Sequence, residues 1–239
     1  MKWIVITPHQ GLGDHIICNA IYREYSKKYS RVFITIKQNY KRELLSMFED
    51  VSNISFLVMP NRRSWTTTRI IQLFARLLRI RVLGLGSYGD NFFPPHIRFD
   101  NNFYDQACLP FDLRWSSFKV NRNKEKENYL YYLLGCDKGD YIFLHEDISR
   151  NFVIDRNKLP KNLKIIEPNI NTSEFNLVDY GRVIEGAKEI HVIESSFSAY
   201  IESLPINIPV YAHRYSREHA LKDFRHEFTY KKPWVIFLT

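Results

Sequence analysis

An apolar run that stops at two glycines and continues as a helix constrains the fold of this chain more than any other stretch. Ile4-Val5-Ile6 predicts a buried strand, and apolar residues at helical spacing begin after Asp14. The residues between them, His9-Gln10-Gly11-Leu12-Gly13-Asp14-His15, predict a tight turn in which both glycines take positive φ and let a ligand approach where a Cβ would clash. Strand, glycine turn and helix in this order predict the first unit of a parallel α/β sheet.

The helix start after this turn presents unpaired backbone N–H groups and the positive end of the helix dipole, which together favour an anion. Asp14 is then either the cap of the helix or a residue that does chemistry. A dinucleotide-binding turn would need a third glycine where Ile16 stands, and an acidic residue near Lys37 at the end of the second strand. A phosphate-binding loop would need a lysine at Asp14. Both NAD chemistry and phosphoryl transfer are therefore disfavoured.

Strand and helix patterns alternate along the chain and restart once. The first series predicts strands at 4–6, 31–36, 54–58 and 82–84, helices at 14–29, 40–48 and 66–80, and a loop at 84–100. Residues 103–120 mix helical and extended patterns. The second series predicts strands at 141–144, 163–166, 189–193, 208–212 and 233–238, and helices at 129–134, 177–187, 197–204 and 216–228. A polar run at 121–128 and the glycines near 135–139 indicate a boundary, so we predict two Rossmann-like domains, 1–135 and 136–239.

The charge of the chain favours an anionic ligand or surface. The formal net charge is +8 and the sequence pI is about 9.3, which suits a phosphorylated small molecule, a polyanion or an anionic membrane. Nucleic acid is disfavoured, because the basic residues form no long block and no nucleic-acid-binding module is recognised. The three cysteines, Cys18, Cys108 and Cys136, are far apart and odd in number, which favours a reducing cytoplasm over disulfides or zinc.

The N-terminal residues give no signal-peptide pattern, and no run approaches the roughly 20 apolar residues of a membrane span. The segment 69–85 combines apolar residues with arginines and predicts a cationic amphipathic helix. One interpretation is a surface helix with one face on the core and its arginines in water. The other is contact with an anionic membrane or a lipid-linked acceptor. We predict a cytoplasmic protein, with peripheral contact at the inner face of the membrane as an open possibility.

A second strand that runs directly into a helix lies late in the chain, at Ile193-Glu194-Ser195-Ser196-Phe197. Its serines can cap the helix and, with the free N–H groups, bind a pyrophosphate, while Glu194 ends a strand where α/β sheets bind ligands. The alternative is a structural cap beside an exposed glutamate. His145 and Arg150 follow the first strand of the same half, where the arginine can pair with phosphate and the histidine can donate to it.

A metal site is disfavoured by the pattern of acidic residues and histidines. His145, Glu146 and Asp147 are adjacent, but no further histidine or cysteine stands at ligand spacing. The chain also has no Asp-x-Asp pair of the kind that holds a nucleotide-sugar through Mg²⁺ or Mn²⁺. We therefore expect no metal and no cofactor beyond a co-substrate.

The Gly11-Leu12-Gly13-Asp14 turn after an N-terminal strand, paired with the 193–199 segment late in the chain, resembles the GT-B glycosyltransferases, and among them the ADP-heptose:lipopolysaccharide heptosyltransferase group (glycosyltransferase family 9). The resemblance implies two Rossmann-like domains that face each other across a cleft, with 1–135 on the acceptor side and 136–239 binding the nucleotide-sugar. It also implies transfer of a sugar from a nucleotide-sugar to a glycan or lipid-linked acceptor in polysaccharide biosynthesis.

Carried over by position, the resemblance implies a role for each residue of the two turns. Asp14 becomes the general base on the acceptor hydroxyl. The residues implied to contact the substrate are Gly11, Leu12, Gly13 and His15. The residues assigned to the nucleotide-sugar, from the resemblance and from the chemistry above, are His145, Arg150, Glu194, Ser195 and Ser196.

Three alternatives stay open at this stage. The first is another kind of glycosyltransferase. His145 with Arg150 is also similar to the nucleotide clamp of fucosyltransferases, and Glu194 with Glu202 is similar to the E-x7-E pair of retaining GT-B enzymes. A non-catalytic nucleotide-binding or sugar-phosphate-binding module of the same fold is the second alternative. A peripheral membrane or scaffold protein that works through the basic helix is the third.

Overall fold

The computed structural model describes residues 2–86, 98–169, 172–216 and 229–238. Contacts between Cα atoms divide the chain into two units, Met1–Asn121 and Arg122–Thr239. Most of the loop predicted at 84–100 and most of the helix predicted at 216–228 lie outside the described residues. Within the ranges given above, no helix has both the length and the apolar composition that crossing a bilayer requires.

The described residues of the first unit form a parallel sheet with the strand order β3, β2, β1, β4. The strands are β1 Trp3–Thr7, β2 Arg31–Lys37, β3 Ile54–Met59 and β4 Arg81–Gly84. Ile4 and Ile6 of β1 and Ile34 of β2 are fully buried, because central parallel strands are covered on both faces. The strands predicted in this half of the sequence are confirmed.

The helices of the first unit follow the predicted order with different ends. They are α1 Leu12–Ile17, α2 Asn19–Lys28, α3 Lys41–Met47, α4 Ser64–Leu77, α5 Phe99–Gln106 and α6 Leu113–Ser116. The single helix predicted at 14–29 is instead a pair that meets at Cys18. The mixed pattern at 103–120 corresponds to the end of α5 and to α6, which are too short to show a clear helical period.

The two glycines of the first turn, Gly11 and Gly13, do not have the predicted backbone conformation. Gly11 has φ −90° and Gly13 lies inside α1, so the prediction of positive φ at these two residues is wrong. A Cβ built on Gly11 would lie 2.6 Å from Oδ2 of Asp14. Gly11 is therefore required by the close approach of a carboxylate rather than by a left-handed backbone.

The described residues of the second unit form another parallel sheet, with the strand order β6, β5, β7, β8, β9. The strands are β5 Tyr141–His145, β6 Lys164–Ile166, β7 Glu189–Val192, β8 Val210–His213 and β9 Val235–Phe237. The helices are α7 Lys124–Leu133, α8 Gly181–Glu185 and α9 Ser196–Ser203. A 3₁₀ turn, Leu177–Tyr180, forms the first part of the helix predicted at 177–187. Two parallel sheets in sequence confirm the predicted α/β class.

The polar run at 121–128 forms helix rather than linker. Asn123 caps α7 by accepting a 3.0 Å hydrogen bond from the backbone N–H of Lys126, so the helix predicted at 129–134 begins earlier. Glu127 is almost fully buried and pairs with Arg122, which also pairs with Glu185. These ion pairs raise the pKa of Arg122 above its ordinary value and fix the first residue of the second unit to α7 and α8.

A chain of hydrogen bonds crosses one face of the second sheet. His191 Nε2 lies 3.1 Å from a carboxylate oxygen of Glu189, and His191 Nδ1 lies 3.0 Å from Nε2 of His213. His213 Nδ1 lies 3.2 Å from the hydroxyl of Tyr215, which accepts a 2.7 Å hydrogen bond from the backbone N–H of Asp155. Burial lowers the pKa of both histidines, that of His213 to about 3. Both rings are therefore neutral at neutral pH.

Candidate active site

The sheet topology selects one ligand edge in each unit. In the first sheet, β2 and β3 are added on one side of β1, and β4 is then added on its other side. In the second sheet, β6 lies on one side of β5, and β7 is then added on the other side. Ligands of open α/β sheets bind outside the carboxyl ends of strands at such a reversal. The turn after β1 and the turns after β5 and β7 are therefore the candidate site residues of the two units.

Asp14 is held at the carboxyl end of β1 by two hydrogen bonds to the same oxygen. Its Oδ2 accepts from the backbone N–H of Gly11 at 3.0 Å and lies 2.5 Å from Nδ1 of His9. The carboxylate of Asp14 therefore lies at the N-terminal end of the short helix α1 and caps it by accepting the N–H of Gly11. Its side chain keeps 11% of its surface exposed, and no residue in the described ranges donates a hydrogen bond to Oδ1. One carboxylate oxygen is fixed, and the other remains available for chemistry.

His9 is fixed in turn by aromatic side chains. Its ring centroid lies 5.7 Å from that of Trp65 at the start of α4 and 5.1 Å from that of Phe99 at the start of α5. The His9 side chain is 24% exposed. Rings packed on two sides restrict the imidazole, so the His9–Asp14 pair is held with little freedom.

The other predicted residues of this turn differ in access. Gly11, Leu12 and Gly13 are partly exposed, so a ligand can reach them. His15 is fully buried and its Nδ1 lies 3.0 Å from the hydroxyl of Tyr22. Burial lowers the pKa of His15 to about 4. The structure thus places a neutral His15 beneath the turn rather than on its surface.

His145 and Ser195 meet at the ligand edge of the second unit. Nδ1 of His145, at the end of β5, lies 3.1 Å from Oγ of Ser195, which precedes α9. The Phe197 ring packs on the imidazole with a centroid distance of 4.4 Å. Burial lowers the pKa of His145 to about 4, so the ring is neutral and offers hydrogen bonds rather than charge.

Glu194 lies in the same turn, and its carboxylate is engaged within the unit. Oε1 is 3.2 Å from Nε of Arg214 and accepts a 3.3 Å hydrogen bond from the hydroxyl of Tyr230. The side chains of Glu194 and Arg214 are 3% and 5% exposed. This carboxylate therefore has far less access to a ligand than that of Asp14.

The remaining predicted donor-side residues lie nearer the surface. Ser196 is partly exposed as the first residue of α9. Arg150 is 58% exposed and lies 2.6 Å from Oδ2 of Asp147, with its guanidinium 5.2 Å from the centre of the Phe152 ring. Burial raises the pKa of Asp147, but the hydrogen bond from Ser149 and the interactions with Arg150 outweigh it and lower that pKa below its ordinary value. Arg150 is thus an accessible cation that already pairs with Asp147, so a bound phosphate would contact the same guanidinium as that carboxylate.

Glu202, the second member of the E-x7-E spacing, has a different neighbourhood. It is fully buried and accepts hydrogen bonds from the backbone N–H of Lys231 at 2.7 Å and from Nε1 of Trp234 at 2.6 Å. Glu202 therefore ties the segment before β9 to α9.

Sequence reasoning missed His9, Arg214 and Tyr230. His9 and Arg214 each stand within two residues of a parallel strand's carboxyl end, and that position alone was a usable signal. Tyr230 carries no such signal, because it reaches Glu194 from a segment distant in sequence.

Two consecutive parallel sheets, each with a ligand edge, define a Rossmann-like α/β class of fold, and known structures specify it further. A structure described as the glycosyl transferase family 9 from Veillonella parvula DSM 2008 matches with a TM-score of 0.59 and 12% identity over 99% of this chain and 86% of that chain. E. coli ADP-heptose lps heptosyltransferase II matches with a TM-score of 0.51 and 12% identity over 89% of this chain and 84% of that chain. The predicted resemblance to family 9 glycosyltransferases is thus confirmed at the level of the fold.

A third similar structure, the dodecameric iron-containing heptosyltransferase TibC in complex with ADP-D-beta-D-heptose, has a TM-score of 0.50 and 10% identity over 88% of this chain and 58% of that chain. In the part of this chain that the structure describes, no group of three or more His, Cys, Asp or Glu side chains is arranged to hold a metal ion. No family model matches the sequence, and no curated protein matches it.

Proposed function

We propose that this chain is a metal-independent glycosyltransferase that uses a nucleotide-sugar and needs no other cofactor. The observation that carries the proposal is the Asp14 carboxylate, fixed through one oxygen at the ligand edge of a glycosyltransferase-like fold. The acceptor is a hydroxyl group of a glycan or a lipid-linked saccharide. We propose GT-B organisation as well, with the turns after β1 and β7 acting on one bound substrate pair.

Asp14 is the general base in the proposed reaction. Oδ1 takes the proton of the acceptor hydroxyl while that oxygen forms a bond to the anomeric carbon of the sugar. The bond between that carbon and the diphosphate oxygen breaks, and the nucleoside diphosphate leaves with the electron pair. A single displacement of this kind inverts the anomeric configuration. His9 is a positioning residue here, because it holds Oδ2 and thereby aims Oδ1.

The residues of the second unit that support the leaving diphosphate are polar and mostly neutral. Ser195 and His145 supply a hydroxyl and a neutral imidazole, and the partly exposed start of α9 at Ser196 adds backbone N–H groups. Arg150 supplies the accessible positive charge. These groups suit a diphosphate whose charge grows as the bond breaks.

The proposal is tested first with Asp14→Asn, which keeps the size of the side chain and removes the base. We expect turnover of the accepted nucleotide-sugar to fall by about 10²-fold or more, while nucleoside diphosphates still raise the melting temperature. Asp105→Asn is the matched control, because Asp105 is exposed in the same unit outside the turn, and it should keep wild-type turnover. Equal turnover in Asp14→Asn and wild type would contradict the role of the base.

A non-catalytic nucleotide-binding module is the second candidate, and the burial of Glu194 favours it. In this turn the carboxylate is bound to Arg214 and Tyr230 rather than presented to a ligand. This alternative predicts thermal stabilisation of the wild type by nucleoside diphosphates with no transfer or hydrolysis across a panel of nucleotide-sugars. Detectable turnover that depends on Asp14 would exclude it.

A further inference from the structure

Helix α4 carries large apolar side chains on the face that points away from its sheet. Ile70, Leu73, Phe74 and Leu77 recur at the spacing of one helix face, and Leu78 follows at the C-terminal end. Their exposed fractions are 49%, 58%, 59%, 69% and 70% in that order. We call these five residues the α4 apolar face.

The inward face of α4 is made of small residues instead. Ser64, Thr68 and Ala75 are buried, and Thr68 Oγ1 donates to the backbone carbonyl of Ser64 at 2.9 Å. Gln72 on the same side donates to Thr7 of β1 at 2.7 Å. The interpretation of an ordinary surface helix does not account for this pattern, because its large apolar residues would then face the sheet. A contiguous exposed apolar face of this kind marks an interaction surface.

The stretch of sequence that carries the α4 apolar face has charged side chains of one sign. The sequence has no Asp or Glu between Asp50 and Asp90. The arginines of this stretch are all exposed, and within the described ranges none of them pairs with a carboxylate: Arg62, Arg63, Arg69, Arg76, Arg79 and Arg81. At 100° per residue, Arg69 and Arg76 lie along one flank of the apolar face. The partner must therefore be apolar at its centre and anionic around it.

We infer that the α4 apolar face docks on the surface of an anionic lipid bilayer. The apolar side chains enter the boundary between headgroups and acyl chains, and the arginines contact lipid phosphates. Trp65, 45% exposed at the start of α4, has the amphipathic ring that favours this boundary. Trp65 also packs on His9. If the proposed function holds, docking brings a lipid-linked acceptor to the side of Asp14, but the docking itself does not rest on that function.

The test is co-sedimentation of the full chain with vesicles of phosphatidylcholine alone and with about 30% phosphatidylglycerol added. We expect binding to the anionic vesicles, weakened by salt, and little binding to phosphatidylcholine. The triple variant Leu73→Gln, Phe74→Gln, Leu77→Gln should bind about 30-fold or more weakly. The double variant Arg69→Gln, Arg76→Gln should bind roughly 10- to 30-fold more weakly and lose part of the salt dependence.

The matched control is the double variant Tyr129→Gln, Leu133→Gln on α7. These residues are also exposed, at 61% and 49%, and they should be dispensable for vesicle binding. Transfer to a soluble acceptor should be the same in all of these variants, so failure of docking is distinguishable from failure of the proposed enzyme. The inference is overturned if wild type does not bind anionic vesicles, or if the triple variant binds as wild type does. It is also overturned if wild type self-associates through this face and the triple variant is monomeric.

Discussion

The turn after β1 and the turn after β7 are built alike and use their carboxylates differently. Each follows a parallel strand at a reversal of strand order and opens a helix. Asp14 is fixed through one oxygen and keeps the other available, whereas Glu194 is buried against Arg214 and Tyr230. Similar local sequences thus yield, in one unit, a carboxylate with one oxygen that accepts no hydrogen bond from the described residues and, in the other, an internal ion pair. The difference arises because Asp14 is held by residues of its own turn, whereas Glu194 is held by Arg214 and Tyr230 from outside its turn.

Acid should separate the two units most strongly. Burial lowers the pKa of two histidines of the second unit, that of His145 to about 4 and that of His213 to about 3, from the ordinary 6.5. In the first unit burial lowers the pKa of His15 to about 4. Below pH 6.5 the unfolded chain takes up protons that the folded chain does not. Stability is therefore lost as pH falls from 6.5 to about 4, by up to about 1.4 kcal/mol per pH unit for each histidine.

Hydrogen exchange followed by mass spectrometry at pH 7, 6, 5 and 4, corrected for intrinsic exchange rates, measures this in each unit. We expect protection to fall faster in the second unit. His213→Gln removes one titrating group and should flatten the pH dependence of that unit. If protection falls with pH at the same rate in the two units, the expected difference in their acid sensitivity is contradicted.

The substitution Glu194→Gln should be the next largest effect, and it acts on stability. It removes the negative charge that faces the buried Arg214 guanidinium, which costs about 3 kcal/mol. Asp14→Asn should cost about 1 kcal/mol or less, because His9 remains partly in water. Urea unfolding of the two variants measures the difference. A Glu194→Gln protein as stable as wild type, or one that loses turnover like Asp14→Asn, would mean that Glu194 serves the ligand.

Variants of His9 test how the first turn positions Asp14, the proposed base. His9→Leu removes the hydrogen bond to Asp14 Oδ2 and should lower turnover about tenfold with little change in KM for the donor. His9→Asn places an amide N–H close to the former Nδ1 and should restore most of the activity. Kinetics of both variants, with melting temperatures as the control, measure this. If His9→Leu and His9→Asn are equally impaired in turnover, His9 contributes packing of the turn rather than orientation of the Asp14 carboxylate.

The smallest expected effect lies on the donor side. Ser195→Ala removes the hydroxyl that meets His145 and should weaken donor binding by about fivefold, the equivalent of one hydrogen bond of about 1 kcal/mol. Titration calorimetry with the nucleoside diphosphate measures it. Ser203→Ala is the matched control, because Ser203 lies at the far end of α9 and its hydroxyl donates to the backbone carbonyl of Ala199. Equal affinities in the two variants would place the diphosphate elsewhere.

The order of strands and helices could be predicted because it rests on local patterns. Apolar runs such as β1 and the helical spacing in α3 need no knowledge of distant contacts. The Asp14 turn could be found for the same reason, since its strand, glycine and carboxylate are adjacent in sequence.

The rest depended on contacts between distant residues. The pairing of Glu194 with Tyr230 is invisible to a local pattern, and so is the burial of Glu127 that turns a polar run into helix. Periodicity correctly placed α4 and gave its apolar stripe, but it does not say which face the sheet covers. The small residues Ser64, Thr68 and Ala75 decided that.

The hydrogen-bonded row on the second sheet has a direction. Because the Glu189 carboxylate can only accept, Nε2 of His191 carries the proton and its Nδ1 is a lone pair, so His213 must donate from Nε2. His213 Nδ1 then accepts from Tyr215, whose oxygen receives the N–H of Asp155. One carboxylate thus dictates the tautomer of both rings and the orientation of a distant hydroxyl. A glutamine at position 189 could donate as well as accept, so all the hydrogen bonds of the row could then point the other way. One carboxylate at the end of the row thus sets which nitrogen of each histidine carries the proton.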